Sequence, residues 1–304
     1  MSKRTSGINV NGIILLDKRL GVSSNKALQE VRRLFNANKA GHTGSLDPLA
    51  TGLLPLCFGE ATKVSGMMLD DDKCYQVEIQ LGVMTDTGDA EGQVLETKPV
   101  HDISAEQLTV CLAHFTGEIE QVPPMYSALK YQGKKLYELA REGITVERKA
   151  RKITIFEIKQ LDFSTPFLTL EVACSKGTYI RSLAEDIGHY FGCGGTVTKL
   201  RRLQAGQFQL ADAYTLEQLT AMNQEMLFYS LIAVDKPLEF IPAVQLSDEQ
   251  TKLIQFGQTI AINQAQRGMV RIYHENLFLG LGEILLNGKL APRKLFSLSN
   301  ADKC

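Results

Sequence analysis

Five stretches of the chain are predicted as helices, three of them from apolar residues that recur every three or four positions. Three of these helices follow residues that favour a helix N-terminus, namely Ser23 and Ser24, Ser104 with Gln107, and Thr215 with Gln218. The other two cover Glu60 to Leu69 and Ile180 to Phe191. The pattern therefore predicts helices through much of the chain before Pro237.

Apolar and polar residues alternate elsewhere, as they do in a strand with one buried face. The alternation runs from Tyr75 to Val83 and from Leu168 to Cys174, and Thr196 to Leu203 is predicted as a further strand. Near the C-terminus come two shorter predicted strands, Met269 to Tyr273 and Phe278 to Ile284, separated by Gly and Asn turns. Helices and strands together predict an α+β protein.

After the segment from Pro237 to Pro242 the sequence changes to short predicted strands with Gly and Asn turns. A length of 304 residues is typical of two domains. We expect one domain at 1–242 and a small β-rich domain at 243–304. No apolar run is long enough to span a bilayer, and none near the N-terminus has the length of a signal-peptide core. A cytoplasmic protein is therefore expected.

The spacing of cysteines and acids gives little support to disulfide or metal chemistry. The six cysteines are scattered without a CxxC or paired Cys/His motif, so reduced thiols are expected. The acidic run from Thr85 to Gly92 is rich in turn residues, but Gly88 stands where an EF-hand needs its second ligand. We expect a loop there and no metal site.

One segment is strongly basic although the chain as a whole has a net charge of −1. Between Tyr126 and Lys152 lie eight Lys or Arg residues and three Glu residues, so eight minus three gives a local charge of +5. A solvated basic surface and a surface that follows nucleic-acid phosphates explain this charge equally well.

The segment from Gly41 to Gly52 surrounds a single carboxylate with glycine, proline and hydroxyl residues. It reads Gly41-His42-Thr43-Gly44-Ser45-Leu46-Asp47-Pro48-Leu49-Ala50-Thr51-Gly52. Because glycine and proline control backbone dihedrals, this composition predicts a tight loop that holds Asp47 at a defined point. Asp47 is either a turn-capping residue, as Asp before Pro often is, or a carboxylate aimed at a substrate.

This segment resembles the catalytic loop of the bacterial tRNA pseudouridine-55 synthases, the TruB family. Every fixed position of the family pattern Gly-His-Thr-Gly-x-Leu-Asp-Pro-x-Ala-x-Gly is met. Four more segments are similar to family motifs: Asp17 to Gly21, Asp72 to Tyr75, Val122 to Lys130, and Lys176 to Arg181. In the first of these, Arg19 replaces the family's proline, so the resemblance implies no particular rigidity for that turn.

The resemblance covers roughly residues 11 to 215 and implies a fold. This would be a pseudouridine-synthase catalytic domain with a mixed, largely antiparallel sheet flanked by helices. A small C-terminal PUA-like β-barrel, an RNA-binding domain, would follow at 243–304. The segment at about 122–152 would be an insertion that closes over the RNA. Because this insertion coincides with the basic segment, charge and resemblance together favour RNA contact there.

The resemblance also assigns catalytic roles to three residues. Asp47 falls on the family's nucleophile, and Arg181 falls on the arginine that pairs with it. Taken alone, Arg181 could instead pair with Glu185 one helical turn later. Tyr75 falls on the tyrosine that stacks on the target base and helps to remove a proton from it. Taken alone, Tyr75 is an ordinary core residue of its strand. A cation next to Asp47 is expected to hold its pKa down.

Four further residues are implied to contact or support the substrate. Tyr179 and Leu200 match positions that line the uridine pocket, although both could simply pack in the core. Lys18 is expected to support the pocket. His42 could act as a general base, but the resemblance implies that it enters the RNA loop and fills the space of a flipped nucleotide.

The implied activity is isomerisation of the uridine at position 55 in the T loop of tRNA. The uridine would be flipped out of its stack, and Asp47 would attack either the uracil ring or the sugar C1′. The reaction has no redox change and imports no group, so neither a cofactor nor a metal is expected. The expected partner is tRNA, without a membrane or an obligate protein partner, for a protein that acts as a monomer.

Two functions of other classes compete with this reading. A non-catalytic module that binds or folds RNA would not need a positioned nucleophile. A hydrolase that cleaves a glycosidic bond would usually need a second carboxylate, and no matched motif supplies one.

Overall fold

The structure is a computed structural model that describes residues 7–262 and 266–298. Its largest element is a nine-stranded sheet. The strands of this sheet are β1 (Gly12–Lys18), β2 (Ala40–His42), β3 (Ala50–Phe58), β4 (Lys73–Leu81), β7 (Gly117–Gln121), β10 (Arg151–Ser164), β11 (Phe167–Cys174), β12 (Gly195–Ala205) and β13 (Phe208–Gln209). The main order is β1-β3-β12-β4-β11-β10-β7, with β2 paired to β3 and β13 to β12. Because β12 runs parallel to β3 and antiparallel to β4, the sheet is mixed and largely antiparallel, as predicted.

Two small hairpins lie outside this sheet. They are formed by β5 (Val83–Thr85) with β6 (Val94–Thr97), and by β8 (Lys130–Tyr131) with β9 (Lys134–Lys135). The turn-rich run that starts at Thr85 lies between β5 and β6, which agrees with the predicted loop.

Eight α-helices are present in the described residues. They are α1 (Ser24–Leu34), α2 (Ser65–Leu69), α3 (Ala105–His114), α4 (Leu136–Arg141), α5 (Ile180–Tyr190), α6 (Leu216–Ala221), α7 (Gln224–Tyr229) and α8 (Asp248–Gln255). Short 3-10 helices lie at Gly59–Lys63, Leu210–Asp212 and Lys236–Leu238. The predicted caps are confirmed: Ser23 caps α1, and capping boxes at Ser104 and Thr215 begin α3 and α6.

The prediction of one helix from Glu60 to Leu69 was wrong. The segment divides into the 3-10 helix Gly59–Lys63 and the short helix α2. Hydroxyl groups explain the break, since Thr62 donates to the Gly59 carbonyl at 2.7 Å and Ser65 donates to the Thr62 carbonyl at 2.9 Å. Such local bonds compete with the regular helical ladder.

The hydrophobic core over one face of the large sheet consists of two clusters. The first joins β4, β10 and β11 to α3 and α5, through buried residues such as Ile79, Leu170 and Leu183. The second joins β1 and β3 to α1 and α6. Tyr75 and Leu200 pack against both clusters. The seam between the two clusters is therefore lined by two of the predicted site residues.

The C-terminal part is a five-stranded sheet with its own small core. Its strands are β14 (Ala243–Gln245), β15 (Ile260–Ala261), β16 (Gly268–His274), β17 (Leu277–Ile284) and β18 (Lys289–Leu295), in the order β14-β16-β17-β18-β15. Such a sheet, with α8 beside it, fits the predicted PUA-like domain. The division of the chain at residue 242 stays a prediction.

A third hydrophobic cluster joins the C-terminal sheet to the back of the large sheet. Phe278 and Phe296 pack in it with Ile13, Leu15 and Leu53, whose side chains leave β1 and β3 on the face away from the other clusters. Both faces of β1 and β3 are thus covered. No helix of the described residues is long and apolar enough to cross a membrane.

Candidate active site

The loop between β2 and β3 carries Asp47 and is anchored on both sides of it; we call residues 43–49 the Asp47 loop. Before Asp47, the Ser24 hydroxyl donates to the Leu46 carbonyl at 2.9 Å and accepts from the Leu46 amide at 2.7 Å. After Asp47, the Pro48 carbonyl accepts from the Gly21 amide at 2.9 Å. Because both neighbours of Asp47 are fixed, the position of its carboxylate is well defined.

Glycine is required where the Asp47 loop leads into the sheet. Gly52 has a φ of +97°, and a Cβ atom there would lie 2.4 Å from the carbonyl oxygen of Arg202. Any side chain would therefore separate β3 from β12. This contact brings the Asp47 loop and Arg202 together.

Arg181, in the first turn of α5, binds Asp47. Its Nη2 lies 3.1 Å from Asp47 Oδ2, and its Nη1 lies 3.7 Å from Asp89 Oδ2. The same two nitrogens donate to the carbonyls of Tyr126 at 2.7 Å and Thr87 at 2.9 Å. The predicted partner of Arg181 is therefore present. Since the arginine side chain is only 7% exposed, these acceptors fix its orientation firmly.

The net effect on the ionisation of Asp47 differs from the expectation. Burial raises the pKa of this carboxyl; Arg181 opposes the rise, Asp89 adds to it, and Lys18 opposes it. The Asp47 side chain is 45% exposed, and the protein atoms around it keep water away from the rest of the carboxylate. Contrary to the prediction, the adjacent cation does not bring the pKa below its ordinary value, because desolvation outweighs the attraction.

Lys18 binds the Asp47 loop through the main-chain carbonyl of Pro48. It is fully buried at the end of β1, and its Nζ donates to the carbonyls of Val22 at 2.7 Å, Arg19 at 3.1 Å and Pro48 at 3.5 Å. Burial lowers the pKa of Lys18 to about 8, although the charge of Asp47 opposes this. The ammonium group thus ties the turn after β1 to the residue that follows Asp47.

Tyr75 in β4 lies directly opposite Arg202 in β12. Arg202 is 1% exposed; its Nε donates to the Leu53 carbonyl at 2.7 Å, and its Nη2 lies 3.5 Å from the Gly44 carbonyl. Burial raises the pKa of the Tyr75 phenol, while the charge of Arg202 opposes that rise. Tyr75 is therefore a protonated phenol at neutral pH, next to a buried cation.

Two further predicted site residues, Tyr179 and Leu200, lie just before α5 and in β12. Tyr179 precedes α5, and the Gln121 side chain binds both its amide, at 2.8 Å, and its carbonyl, at 3.0 Å. The guanidinium of Arg151 lies 5.4 Å from the centre of the Tyr179 ring. Leu200 lies in β12 beside Val77 of β4. Both residues are half-buried, so each keeps some surface for a ligand.

His42 lies in β2, just before the Asp47 loop. Its Nδ1 is buried and has no hydrogen-bond partner. Burial lowers the pKa of His42, and the charge of Arg202 lowers it further. The imidazole is therefore an uncharged ring at neutral pH, a form that can stack or fill space and can also accept a proton.

Three residues of this site escaped the sequence reasoning. Asp89 is buried beside Arg181, Ser24 holds Leu46, and Arg202 joins Tyr75 to the Asp47 loop. A signal existed only for Arg202, since it stands two residues after Leu200 on a strand and so shares its buried face. Within the described ranges, no three His, Cys, Asp or Glu side chains are grouped as metal ligands.

Replacing Ser24 by alanine should slow any reaction that uses the Asp47 carboxylate by about 10- to 100-fold, because a small displacement of a reacting group is costly. The change also leaves the buried amide and carbonyl of Leu46 without a partner, at a cost of about 1–3 kcal/mol in the free energy of unfolding. The control is Ser23→Ala, which removes only the exposed cap of α1. Equal rates for the two variants, measured with saturating enzyme, would contradict the anchoring role.

The rate should depend on pH at two limits. A nucleophilic Asp47 would have to be ionised and its pKa is raised, so activity should fall with decreasing pH already above the ordinary range of an aspartate. Lys18 must be protonated to donate its three bonds, so activity should fall as pH rises through about 8. Lys18→Met should lower the plateau and remove the alkaline limit, whereas Lys26→Met, at an exposed position, should keep it. Single-turnover rates across pH test both limits.

Three family models match consecutive parts of the chain. They are described as the N-terminal domain of TruB family pseudouridylate synthases for residues 32–180, the C-terminal domain of tRNA pseudouridylate synthase B for residues 181–239, and the C-terminal part of pseudouridine synthase II TruB for residues 242–296. The matches follow the order of the elements that carry the site.

Full-length curated proteins are similar to the whole chain. The tRNA pseudouridine synthase B of Chromohalobacter salexigens is 49% identical over 307 residues, which cover 99% of each chain. The protein of the same name from Vibrio cholerae serotype O1 is 49% identical over 97% of this chain and 98% of its own. That from Actinobacillus pleuropneumoniae serotype 5b is 50% identical over 97% and 99%.

Solved structures agree with this relationship at the level of the fold. The chain is similar to one in a Cbf5–Nop10–Gar1 complex, with a TM-score of 0.70 and 25% identity over 94% of this chain and 85% of the other. It is also similar to one in an archaeal box H/ACA sRNP Nop10–Cbf5 complex, with a TM-score of 0.71 and 22% identity over 97% and 89%. From the consecutive family matches and the full-length relatives, the chain belongs to the TruB family of pseudouridine synthases.

Proposed function

We propose that the protein isomerises the uridine at position 55 in the T loop of tRNA to pseudouridine, with Asp47 as the nucleophile. The observation that carries this proposal is the Asp47 carboxylate, held 3.1 Å from Arg181 on a loop whose residues meet the family pattern throughout. The name tRNA pseudouridine synthase B, borne by full-length relatives, supports tRNA as the substrate.

The target uridine would have to leave its stack before Asp47 could reach it. Leu200, paired with Ala50 at the end of the Asp47 loop, and Tyr179, two residues before Arg181, are partly exposed, which suits contact with a flipped pyrimidine ring. Stacking on an aromatic face offsets part of the unstacking cost. His42, uncharged and without a partner at Nδ1, would fill the space that the nucleotide vacates.

Asp47 then attacks either the uracil ring or the sugar C1′. Both routes break and form the same bonds between the base and the sugar. The N1–C1′ bond breaks, the base turns, a C5–C1′ bond forms, and the bond between the substrate and Asp47 breaks to restore the free carboxylate. C5 loses a proton and N1 gains one, so product and substrate are isomers. The reaction therefore requires a nucleophile and a route for one proton, without a redox partner or group donor. Tyr75 would carry this proton.

RNA contact would involve the insertion at 122–152. This segment carries a local charge of +5 between Tyr126 and Lys152, suited to phosphate contacts that dominate affinity for RNA. It also supplies the Tyr126 carbonyl that accepts from Arg181. Movement of the insertion over the RNA would therefore act directly on the arginine that orients Asp47.

The remaining expectations complete the proposal. The PUA-like domain at 243–304 would add RNA-binding surface. The protein would act in the cytoplasm, as a monomer and without an obligate protein partner.

The direct test incubates the protein with unmodified tRNA and maps pseudouridine at nucleotide resolution. We expect conversion of the T-loop uridine and of no other position. Conversion at another uridine would refute the proposed site while leaving the chemistry intact. Tight binding without conversion would instead favour the non-catalytic RNA module, and release of free uracil would favour a glycosidic hydrolase.

A further inference from the structure

Arg202 is a buried cation without a buried counter-charge. It is 1% exposed, and no carboxylate oxygen of the described residues lies within 4.0 Å of its guanidinium. Its acceptors are two main-chain carbonyls, those of Leu53 and Gly44. A buried charge without an opposite charge destabilises the folded protein. We therefore infer that Arg202 has a role in function.

The strand register places this cation against Tyr75. Arg202 and Tyr75 are direct cross-strand partners in β12 and β4, and such partners project from the same face of a sheet. The charge of the guanidinium favours the phenolate form of Tyr75. The Gly44 carbonyl ties the same guanidinium to the Asp47 loop.

We propose that Arg202 is a positioning residue that stabilises Tyr75 as a transient phenolate during proton transfer from C5 to N1. This inference rests on the proposed function. When the N1–C1′ bond breaks, its electron pair stays on the uracil ring. The C5–C1′ bond then forms with this electron density, and the bond from the substrate to Asp47 breaks and frees the carboxylate. N1 takes the phenol proton of Tyr75, and the phenolate takes the proton from C5. The phenol is regenerated, and one proton has passed from C5 to N1.

Arg202 is suited to this role by its surroundings. A phenolate formed in this buried position lacks solvating water, which is why burial raises the pKa of Tyr75. A guanidinium already fixed by Leu53 and Gly44 needs no reorganisation when the charge appears. Loss of one such preorganised donor typically slows a reaction by about 10²–10³-fold.

The test measures single-turnover pseudouridine formation at saturating enzyme, with tRNA carrying hydrogen or deuterium at C5 of the target uridine. Arg202→Gln removes the charge, and Arg202→Lys keeps the charge with a different shape. We expect Arg202→Gln to be slower by about 10²-fold or more, with a larger deuterium isotope effect than the wild type and an unchanged affinity for tRNA. Arg202→Lys should recover part of the rate and lower the isotope effect.

The neighbouring residue gives the matched control. Arg201→Gln removes a guanidinium that is 39% exposed and paired with Asp17 at 2.6 Å, and it should keep the wild-type isotope effect. In a Tyr75→Phe background, Arg202→Lys should cause no further decrease in the single-turnover rate. A slow Arg202 variant with an unaltered isotope effect, or an equal loss in the Tyr75→Phe background, would overturn the inference. Absence of pseudouridine with the wild type would refute the proposed function instead.

Discussion

Replacing Asp47 by asparagine is expected to reduce pseudouridine formation by roughly 10⁴-fold or more, because the neutral amide cannot form the covalent intermediate. Asparagine has nearly the same shape as aspartate, and its oxygen can still accept from Arg181. The affinity for tRNA should therefore be retained. Since the folded protein raises the pKa of Asp47, ionised Asp47 is disfavoured in the fold. At neutral pH the variant should therefore be at least as stable as the wild type.

Binding of unmodified tRNA, the midpoint of thermal unfolding and the single-turnover rate together check this prediction. Asp102→Asn, which removes an exposed carboxylate before α3, is the control and should leave all three unchanged. Substantial turnover by the Asp47→Asn variant would show that Asp47 positions the substrate without attacking it.

Replacing Arg181 by glutamine should produce the second-largest loss of activity, of about 10²–10³-fold. The change leaves the carboxylates of Asp47 and Asp89 near each other without the cation between them. Because Asp89 already raises the pKa of Asp47, the loss of Arg181 should raise it further. The acid limit of activity should then move to higher pH. The buried site should also lose about 3–5 kcal/mol of folding free energy, as when one partner of a buried ion pair is removed.

A variant that removes a negative charge beside Asp47 should shift the acid limit in the opposite direction. Asp89→Asn removes a charge that raises the pKa of Asp47, so its acid limit should move to lower pH. Arg201→Gln, at a half-exposed ion pair, should leave the acid limit in place. Profiles of the single-turnover rate against pH measure the acid limit of each variant. A shift of both site variants in the same direction would contradict the arrangement of charges described for Asp47.

The sequence was sufficient for the features that depend on local patterns. Alternating residues placed β4 and β11, Thr196 to Leu203 was predicted as the strand that is β12, and the serine and threonine caps placed α1, α3 and α6. The pairing of Asp47 with Arg181 followed from two motifs far apart in the chain, each matched residue by residue. Composition had no part in that pairing, and a lone arginine in the first turn of a helix would not have identified its partner.

Features that depend on tertiary contact could not be predicted in the same way. Asp89 stands in a turn-rich loop, where an acidic residue is ordinary, and only the packing of that loop against α5 buries it beside Arg181. Ser24 looked like a second capping residue, because nothing in its neighbourhood shows that Leu46 lies against it. The elevated pKa of Asp47 also reflects burial, which charge counting along a sequence does not measure.

One measurement tests the central claim most directly: the release of tritium from tRNA labelled at C5 of the T-loop uridine alone, followed for the wild type and the Asp47→Asn variant. We predict that the wild type releases one tritium for each pseudouridine formed, up to one per tRNA. The variant should bind the tRNA equally well and release none. Tritium release by the variant at the wild-type rate, or free uracil among the wild-type products, would contradict isomerisation through Asp47.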